Sequence, residues 1–318
     1  KGDRLTHVNG DALKGLNRKQ VSVLLRGPTH TRVELTFIRP GAGEPKTIAM
    51  NRAHIFPVTI TEKTSDGIVT LTLTSFNQDT SRALSEKLEN ARDRLGDAMK
   101  GVVLDLRGNP GGLLKQSVKV ADLLLTQGKI ISTQGRHADS LHQYEAGGRD
   151  LAIGLPVAVL VDGKSASAAE IVAAALQDRN RAVVIGTASF GKGSVQTVLR
   201  LPNDGEITLT WSRLVAPSGY MFHGLGIRPS ICTSGLQGNA KSIIDKVMVD
   251  REKIEDMLVN WRKAALQDKS KRAQLRNSCP SQRRRKDLEL RIAYHLITHP
   301  ALFASALDLT AATHEARY

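Results

Sequence analysis

Between Gly67 and Ile185, strand-length apolar runs alternate with helix-length segments, and that alternation limits the fold more than any other feature of the chain. Gly67–Thr74, Gly101–Leu106, Lys129–Thr133, Val157–Val161 and Ala182–Ile185 read as strands; Asp79–Leu95, Leu114–Leu125 and Ala168–Gln177 have helical spacing. Strands and helices in this order predict an α/β core. On its N-terminal side lies a small β-rich stretch, with Leu5–Val8 running into the turn Asn9-Gly10, a helix at Arg18–Leu25 and a strand at Val33–Ile38. From Asn239 onward the pattern is helical and charged, most clearly at Lys241–Lys263 and Lys286–Leu296. Three modules are expected: residues 1–52, 53–238 and 239–318, the first two joined through Asn51–Phe56.

The formal charge of +14 on 318 residues is uneven: residues 1–55 and 239–318 carry +6 each, and residues 56–238 carry +2. Basic flanks of this kind are solvated faces or meet an anionic surface, and the run Arg283-Arg284-Arg285-Lys286 has the same two readings. Aromatic residues make up 4% of the chain and do not interleave with basic ones, so no nucleic-acid partner is predicted. No apolar run approaches the roughly 20 residues that span a bilayer. Neither an HExxH motif nor paired Cys/His spacing occurs, so no metal or other cofactor is implied.

Chemistry is concentrated in Gly163–Leu176, GKSASAAEIVAAAL, and Ser189–Thr197, SFGKGSVQT. Ser167 with Glu170 before an apolar helix satisfies the pattern of a capping box, in which serine and glutamate trade bonds with backbone N–H groups. The same position suits a nucleophile: Ala166 and Ala168 leave room for a substrate backbone, the helix dipole favours negative charge, and the Ala168 N–H faces a developing oxyanion. Ser165 competes for the role. A serine hydroxyl needs a base, and a lysine that sheds its proton can serve. Lys192, flanked by Gly191 and Gly193, is such a lysine, although GKGS also has a superficial likeness to a phosphate loop without its spacing. Gln196, four residues on, falls on the same face in a helix or a strand and can orient the amine. An ordinary lysine titrates near pH 10.4, so a lysine base is expected among apolar groups or near a helix N-terminus. Asp105–Gly112, DLRGNPGG, is a strand-to-helix turn that exposes N–H groups to an anion.

Taken jointly and in this order, DLRGNPGG, the serine of SASAAE and the lysine of FGKGSVQ resemble the C-terminal processing, or tail-specific, protease family, as does APSGYMFHGLGIRPSI within Glu206–Ile231. Residues 1–52 resemble the later part of a PDZ domain, including GDRLTHVNG, and the first strand and carboxylate-binding loop would lie upstream of Lys1. The resemblance covers about residues 1–235. It implies a mixed β-β-α core of the crotonase/ClpP-like type and assigns Ser167 as nucleophile, Lys192 as general base and Gln196 as the residue orienting the lysine. The oxyanion hole would be Ala168 N–H with Gly111 or Gly112, of which Gly112 is favoured. It also implies protein or peptide substrates with exposed C-termini and a place in the bacterial cell envelope, periplasmic or anchored by an upstream segment. Lys164 and Trp211-Ser212-Arg213-Leu214 depart from the common pattern, which bears on substrate preference.

Cys232 and Cys279 sit at module edges, and the extracytoplasmic setting implied by the family favours a disulfide between them. The apolar stripe in Leu288–Leu307 serves packing or a homo-oligomer. Three rival readings remain open. A His/Asp-assisted serine would need one of nine histidines beside an acid, and His223, the one in a matched region, reads as packing or surface. A PDZ-type adaptor with an inactive core would bind C-terminal peptides without cleaving them, and a crotonase-like acyl-CoA enzyme would share the architecture without needing the Ser/Lys pair.

Overall fold

The computed structural model describes residues 2–53, 57–283 and 287–310 and divides the chain into two compact units, Lys1–Pro57 and Val58–Tyr318. Of the connector Asn51–Phe56, residues 54–56 lie outside the described residues, and so do three of the four residues in the basic run 283–286.

The first unit contains β1 (Arg4–Val8), β2 (Asp11–Ala12), α1 (Arg18–Leu25), β3 (Arg32–Ile38) and β4 (Lys46–Asn51), paired antiparallel in the order β2-β1-β3-β4. Asn9 and Gly10 both take positive φ, 51° and 88°, as a two-residue hairpin turn requires, and they reverse the chain between Val8 and Asp11. Asn9 also ties the turn to β3, since its Oδ1 accepts from the Glu34 N–H at 2.8 Å. Asn17 and Gln20 form a complete capping box that starts α1. The guanidinium of Arg52 donates to the carbonyls of Leu24, Leu25 and Arg32, fastening the end of β4 to the helix.

The second unit runs β5 (Ile60–Ser65), β6 (Ile68–Leu73), α2 (Thr80–Leu95), β7 (Gly101–Asp105), α3 (Leu114–Asp122), β8 (Lys129–Gln134), β9 (His142–Glu145), β10 (Val157–Val161), α4 (Ala168–Asp178) and β11 (Ala182–Gly186). It continues with β12 (Ser194–Arg200), β13 (Glu206–Val215), β14 (Ile231–Cys232), α5 (Ala240–Val249), α6 (Arg251–Lys263), α7 (Lys269–Asn277), α8 (Leu288–Ile297) and α9 (Pro300–Asp308). Six strands form one sheet in the order β14-β11-β10-β7-β6-β5, parallel except for β5, and four form an antiparallel sheet, β12-β13-β8-β9. The overall class is mixed α/β, as expected.

Parallel strands joined by crossover helices need cover on both faces. Successive residues of β7, β10 and β11 accordingly divide between two cores. Val102, Leu104, Val159 and Val184 pack in the cluster that holds α2, α3 and α4, whereas Val103, Leu160, Val183 and Ile185 pack in the cluster that holds α5, α8 and α9. The helical extension therefore shares one compact unit with the sheet, and its apolar stripe, including Ile292, Leu296 and Phe303, is spent on that packing. The expected helix Lys241–Lys263 is two helices, α5 and α6, because the backbone leaves the helical region at Asp250, where ψ is 17°.

Cys232, ending β14, and Cys279, following α7, are joined by a disulfide that closes a loop of sequence separation 47. Past the bridge the chain lies across the ends of the core strands: Ser281 donates to the Ala188 carbonyl, and the Gln282 carbonyl accepts from Gly163 N–H at 2.8 Å and from the Thr187 hydroxyl at 3.0 Å.

Truncation of Leu160, 0% exposed, leaves a cavity between the sheet and the extension. Leu160→Ala should destabilise the chain by about 3 kcal/mol, read from the urea midpoint at unchanged slope. Loop closure by the disulfide constrains the unfolded chain by ~4 kcal/mol. Dithiothreitol should therefore lower the thermal midpoint by several degrees, while a Cys232→Ser, Cys279→Ser variant should melt at the same temperature with or without reductant.

Candidate active site

The turn from β10 into α4 carries Ser167 in a conformation that L residues avoid, φ 55° and ψ −111°. Such a turn thrusts its side chain outward at the mouth of the helix, the geometry of a strained nucleophile turn. Ser167 is half-buried, and its N–H donates to Glu170 Oε2 at 2.8 Å. The first turn of α4 is thus closed by Glu170, as the capping-box pattern expects.

Glu170 reaches further than a cap. It is wholly buried, and its two oxygens accept four donors: Ser167 N–H and Lys192 N–H at 2.8 Å on Oε2, Gly191 N–H at 2.6 Å and the Ser189 hydroxyl on Oε1. One carboxylate therefore fastens the backbone of the serine to the backbone of the lysine across 25 positions of sequence. Burial pushes the Glu170 pKa up, opposed by the four donors. Further bonds fix the lysine loop from other sides: Phe190 N–H to the Ser165 carbonyl, Gly224 N–H to the Gly191 carbonyl and Leu214 N–H to the Gly193 carbonyl. Gly191 has φ 91°, and a Cβ there would meet the backbone of Gly224 and Gly226 at 3.1–3.2 Å.

The DLRGNPGG turn meets the Ser167 turn directly. A Cβ on Gly111 would sit 2.9 Å from Ser167 Cβ and 3.0 Å from Ala168 N, so glycine is what lets the two backbones touch. Asn109, fully buried, sets the turn: its carbonyl accepts from Ala166 N–H, its amide donates to the Leu73 carbonyl, and its Oδ1 accepts from Gly111 N–H at 2.8 Å. The Gly111 N–H is thereby committed. The N–H groups of Ala168 and Gly112 have no acceptor among the described residues. Gly112, φ 148°, pairs with Phe76, whose carbonyl a Cβ at 112 would approach to 2.1 Å. Upstream, Arg107 grips Asp105 through two bonds at 2.7 and 2.9 Å and reaches Glu289 of α8 at 3.2 Å.

Other candidates fall into place by their bonding. Ser165 is fully buried and its hydroxyl is engaged, donating to the Leu106 carbonyl at 2.8 Å and accepting from Asp162 N–H at 2.9 Å. His223 has a buried Nδ1 with no partner, and burial together with Arg213 and Arg272 lowers its pKa, which holds the ring neutral. Lys192 and Gln196 differ from the expectation of a desolvated base: both side chains are exposed, and no hydrogen bond joins either to Ser167 or to each other among the described residues. The lysine is placed by its backbone while its amine remains in solvent. No cluster of His, Cys, Asp and Glu fit to hold a metal occurs among the described residues.

Sequence reasoning gave Asn109 no role and treated Glu170 as a helix cap. The basic tail was expected as a solvated face or one that meets an anionic surface; within it Arg272, 5% exposed, donates to the carbonyls of Met221 and His223, and Arg276 donates to that of Leu225 at 2.6 Å. The tail thus braces the segment against which the lysine loop is bonded. Asp178, at the far end of α4, is similarly buried, pairing with Arg262 of α6 at 2.7 Å and accepting from Ser218.

Residues 67–233 match the model of peptidase family S41, more than half of the chain, and the chain belongs to that family. It is 39% identical over 231 residues to the carboxy-terminal-processing protease of Bartonella bacilliformis, covering 72% of this chain and 53% of that one. It is 32% identical over 230 residues to the carboxy-terminal processing protease CtpA of Bacillus subtilis, covering 72% and 48%. The chain thus spans about half the length of these curated relatives. Among solved structures, a photosystem II D1 C-terminal processing protease is 29% identical, with a TM-score of 0.49 over 72% of this chain and 62% of that one.

An amide at position 170 retains one acceptor oxygen and turns an NH₂ group toward two donors. Glu170→Gln should lower kcat/KM by about 100-fold and destabilise the fold by about 2 kcal/mol. Because the Glu170 pKa is raised, the wild type should lose activity on the acid side at a higher pH than an ordinary glutamate would dictate, and the variant should lack that limb. Wild-type turnover in Glu170→Gln would show that the clamp does not hold the site.

Proposed function

We propose that the chain is a serine endopeptidase that cleaves protein substrates near exposed C-termini, with Ser167 as nucleophile and Lys192 as general base. The observation that carries this reading is the Glu170 clamp, which holds a strained, outward-turned serine and the backbone of the lysine in one rigid frame. In the reaction Ser167 Oγ attacks the scissile carbonyl while Lys192 Nζ takes the hydroxyl proton. Negative charge collects on the carbonyl oxygen between the N–H groups of Ala168 and Gly112, both lacking an acceptor among the described residues, the first of them at the positive end of α4. Lys192 returns the proton to the departing amine, and water, activated by the same amine, releases the acyl group. Gln196 accepts a hydrogen bond from the lysine amine and sets its direction.

The exposure of Lys192 gives the substrate a part in this chemistry. A peptide laid across the loop would cover the exposed Lys192 side chain and exclude water from it. The active site is thereby completed by its substrate.

For the remaining parts, residues 1–52 would act as a partial PDZ-like module that receives a substrate C-terminus, residues 53–238 as a protease core of the crotonase/ClpP-like type, and residues 239–318 as its helical extension. The disulfide suits an extracytoplasmic setting, which supports a place in the bacterial cell envelope, periplasmic or anchored. No helix among the described residues is long and apolar enough to cross a membrane. The exposed lysine amine also suits a second reading, an adaptor that binds C-terminal peptides over an inactive core, and one experiment separates the two.

The purified chain is incubated with an unfolded protein and the cuts are mapped by mass spectrometry. Ser167→Ala and Lys192→Ala should each lower kcat/KM by about 10⁴-fold with no change in circular dichroism, and their combination should cost no more than either alone. Gln196→Ala should cost less. In the wild type kcat/KM should rise with pH, as catalysis by an amine base requires, and should be indifferent to EDTA. Binding of peptide C-termini without any cleavage would support the adaptor, and near-normal turnover in Lys192→Ala would remove the Ser/Lys mechanism.

A further inference from the structure

A cavity of about 980 Å³ opens where the turn after β7, the loop after β10, the segment leading into α5 and the start of α8 converge. Five charged side chains line it, Arg107, Asp162, Lys164, Arg283 and Arg291, and four of them are cationic. The acids at its base are already committed. Asp105 and Glu289 hold Arg107, and Asp162 Oδ1 accepts the N–H groups of Gly108 and Lys164, both at 2.9 Å. No carboxylate among the described residues lies within ion-pair distance of Lys164, Arg283 or Arg291. These three cations come from three separate elements and converge on one concavity, each without an ion-pair partner among the described residues, Asp162 being the one carboxylate among its lining residues. Two helix starts add to the same sign, since Leu288 opens α8 and Gly238 immediately precedes Asn239, the N-cap of α5.

From this we infer that the cavity binds a multiply charged oxyanion of the phosphate class. A monoanion would leave most of the mutual repulsion among the cations in place, whereas a ligand with two or more negative charges relieves it, and guanidinium groups present forked donors suited to phosphate oxygens. The site lies outside the proposed peptidase chemistry, yet it touches both catalytic turns. Arg107 and Gly108 begin the turn that ends at Gly112, and Lys164 precedes Ser167 by three residues. Lys164, noted above for departing from the family pattern, has a role here that the peptide-cleaving reaction does not give it.

The phosphate class can be supplied by a soluble ion or by a lipid headgroup, and the test separates them. Thermal unfolding of the intact Ser167→Ala chain, in which proteolysis plays no part, is followed with rising sodium pyrophosphate against sodium chloride at matched ionic strength. A saturable rise of the midpoint is expected, with affinity reduced about tenfold by Lys164→Gln or Arg291→Gln and unchanged by Lys269→Gln, a surface lysine elsewhere on the extension. The same proteins are sedimented with phosphatidylglycerol and phosphatidylcholine vesicles. Capture by the anionic vesicles alone, displaced by pyrophosphate and lost in the two cavity variants, assigns a lipid headgroup; pyrophosphate binding without capture assigns a soluble ion. Absence of saturable stabilisation, or equal weakening in all three variants, would overturn the inference whatever the outcome of the cleavage assay.

Discussion

A single buried carboxylate holds the candidate site together. Glu170 lies on the first turn of α4, where it closes the helix start, and from there it gathers the backbone of Gly191 and Lys192 and the hydroxyl of Ser189. Without four donors a carboxylate wholly removed from water would be strongly destabilising. With them, the burial becomes a fastening between two segments that have no covalent reason to meet. The Ser167 turn, the Gly111–Gly112 turn and the Lys192 loop each carry bonds that end on this residue or on Asn109.

That frame rests in turn on a sheet buried from both sides. Helices α2, α3 and α4 cover one face, and α5, α8 and α9 cover the other, so the extension completes the core. It also reaches the site directly. Arg272 and Arg276 bond the segment behind the lysine loop, and the disulfide holds the following residues over the loops after β10 and β11.

Much of this was legible because it is local. Alternating strand and helix runs marked the core, Asn9-Gly10 marked a hairpin, and the SASAAE pattern marked the start of α4. What escaped was long-range. Nothing in the sequence around Glu170 announces bonds to residues 19 to 22 positions away, and a capping box by itself accounts for a glutamate at this position. Arg272 and Arg276 sit in a segment so charged that its composition reads as surface, though their heads find carbonyls that have no other cover. The hairpin of β12 and β13 was missed because glycines flank its start and its residues remain largely exposed, leaving no clear inside–outside alternation. The lysine was expected among apolar groups or near a helix N-terminus; its side chain is exposed, and its backbone is bonded to Glu170 on the first turn of α4, since backbone bonds place the residue without dictating where its flexible stem ends.

The backbone at Ser167 sets the proposed chemistry of the site against the stability of the fold. A left-handed φ of 55° suits glycine, and any side chain held there costs the folded chain on the order of 1 kcal/mol. The residue best suited to stability at this position is thus not the one best suited to attack a carbonyl. Glycine at 167 would relieve that strain while leaving the Glu170 carboxylate, the sheet and the disulfide in place.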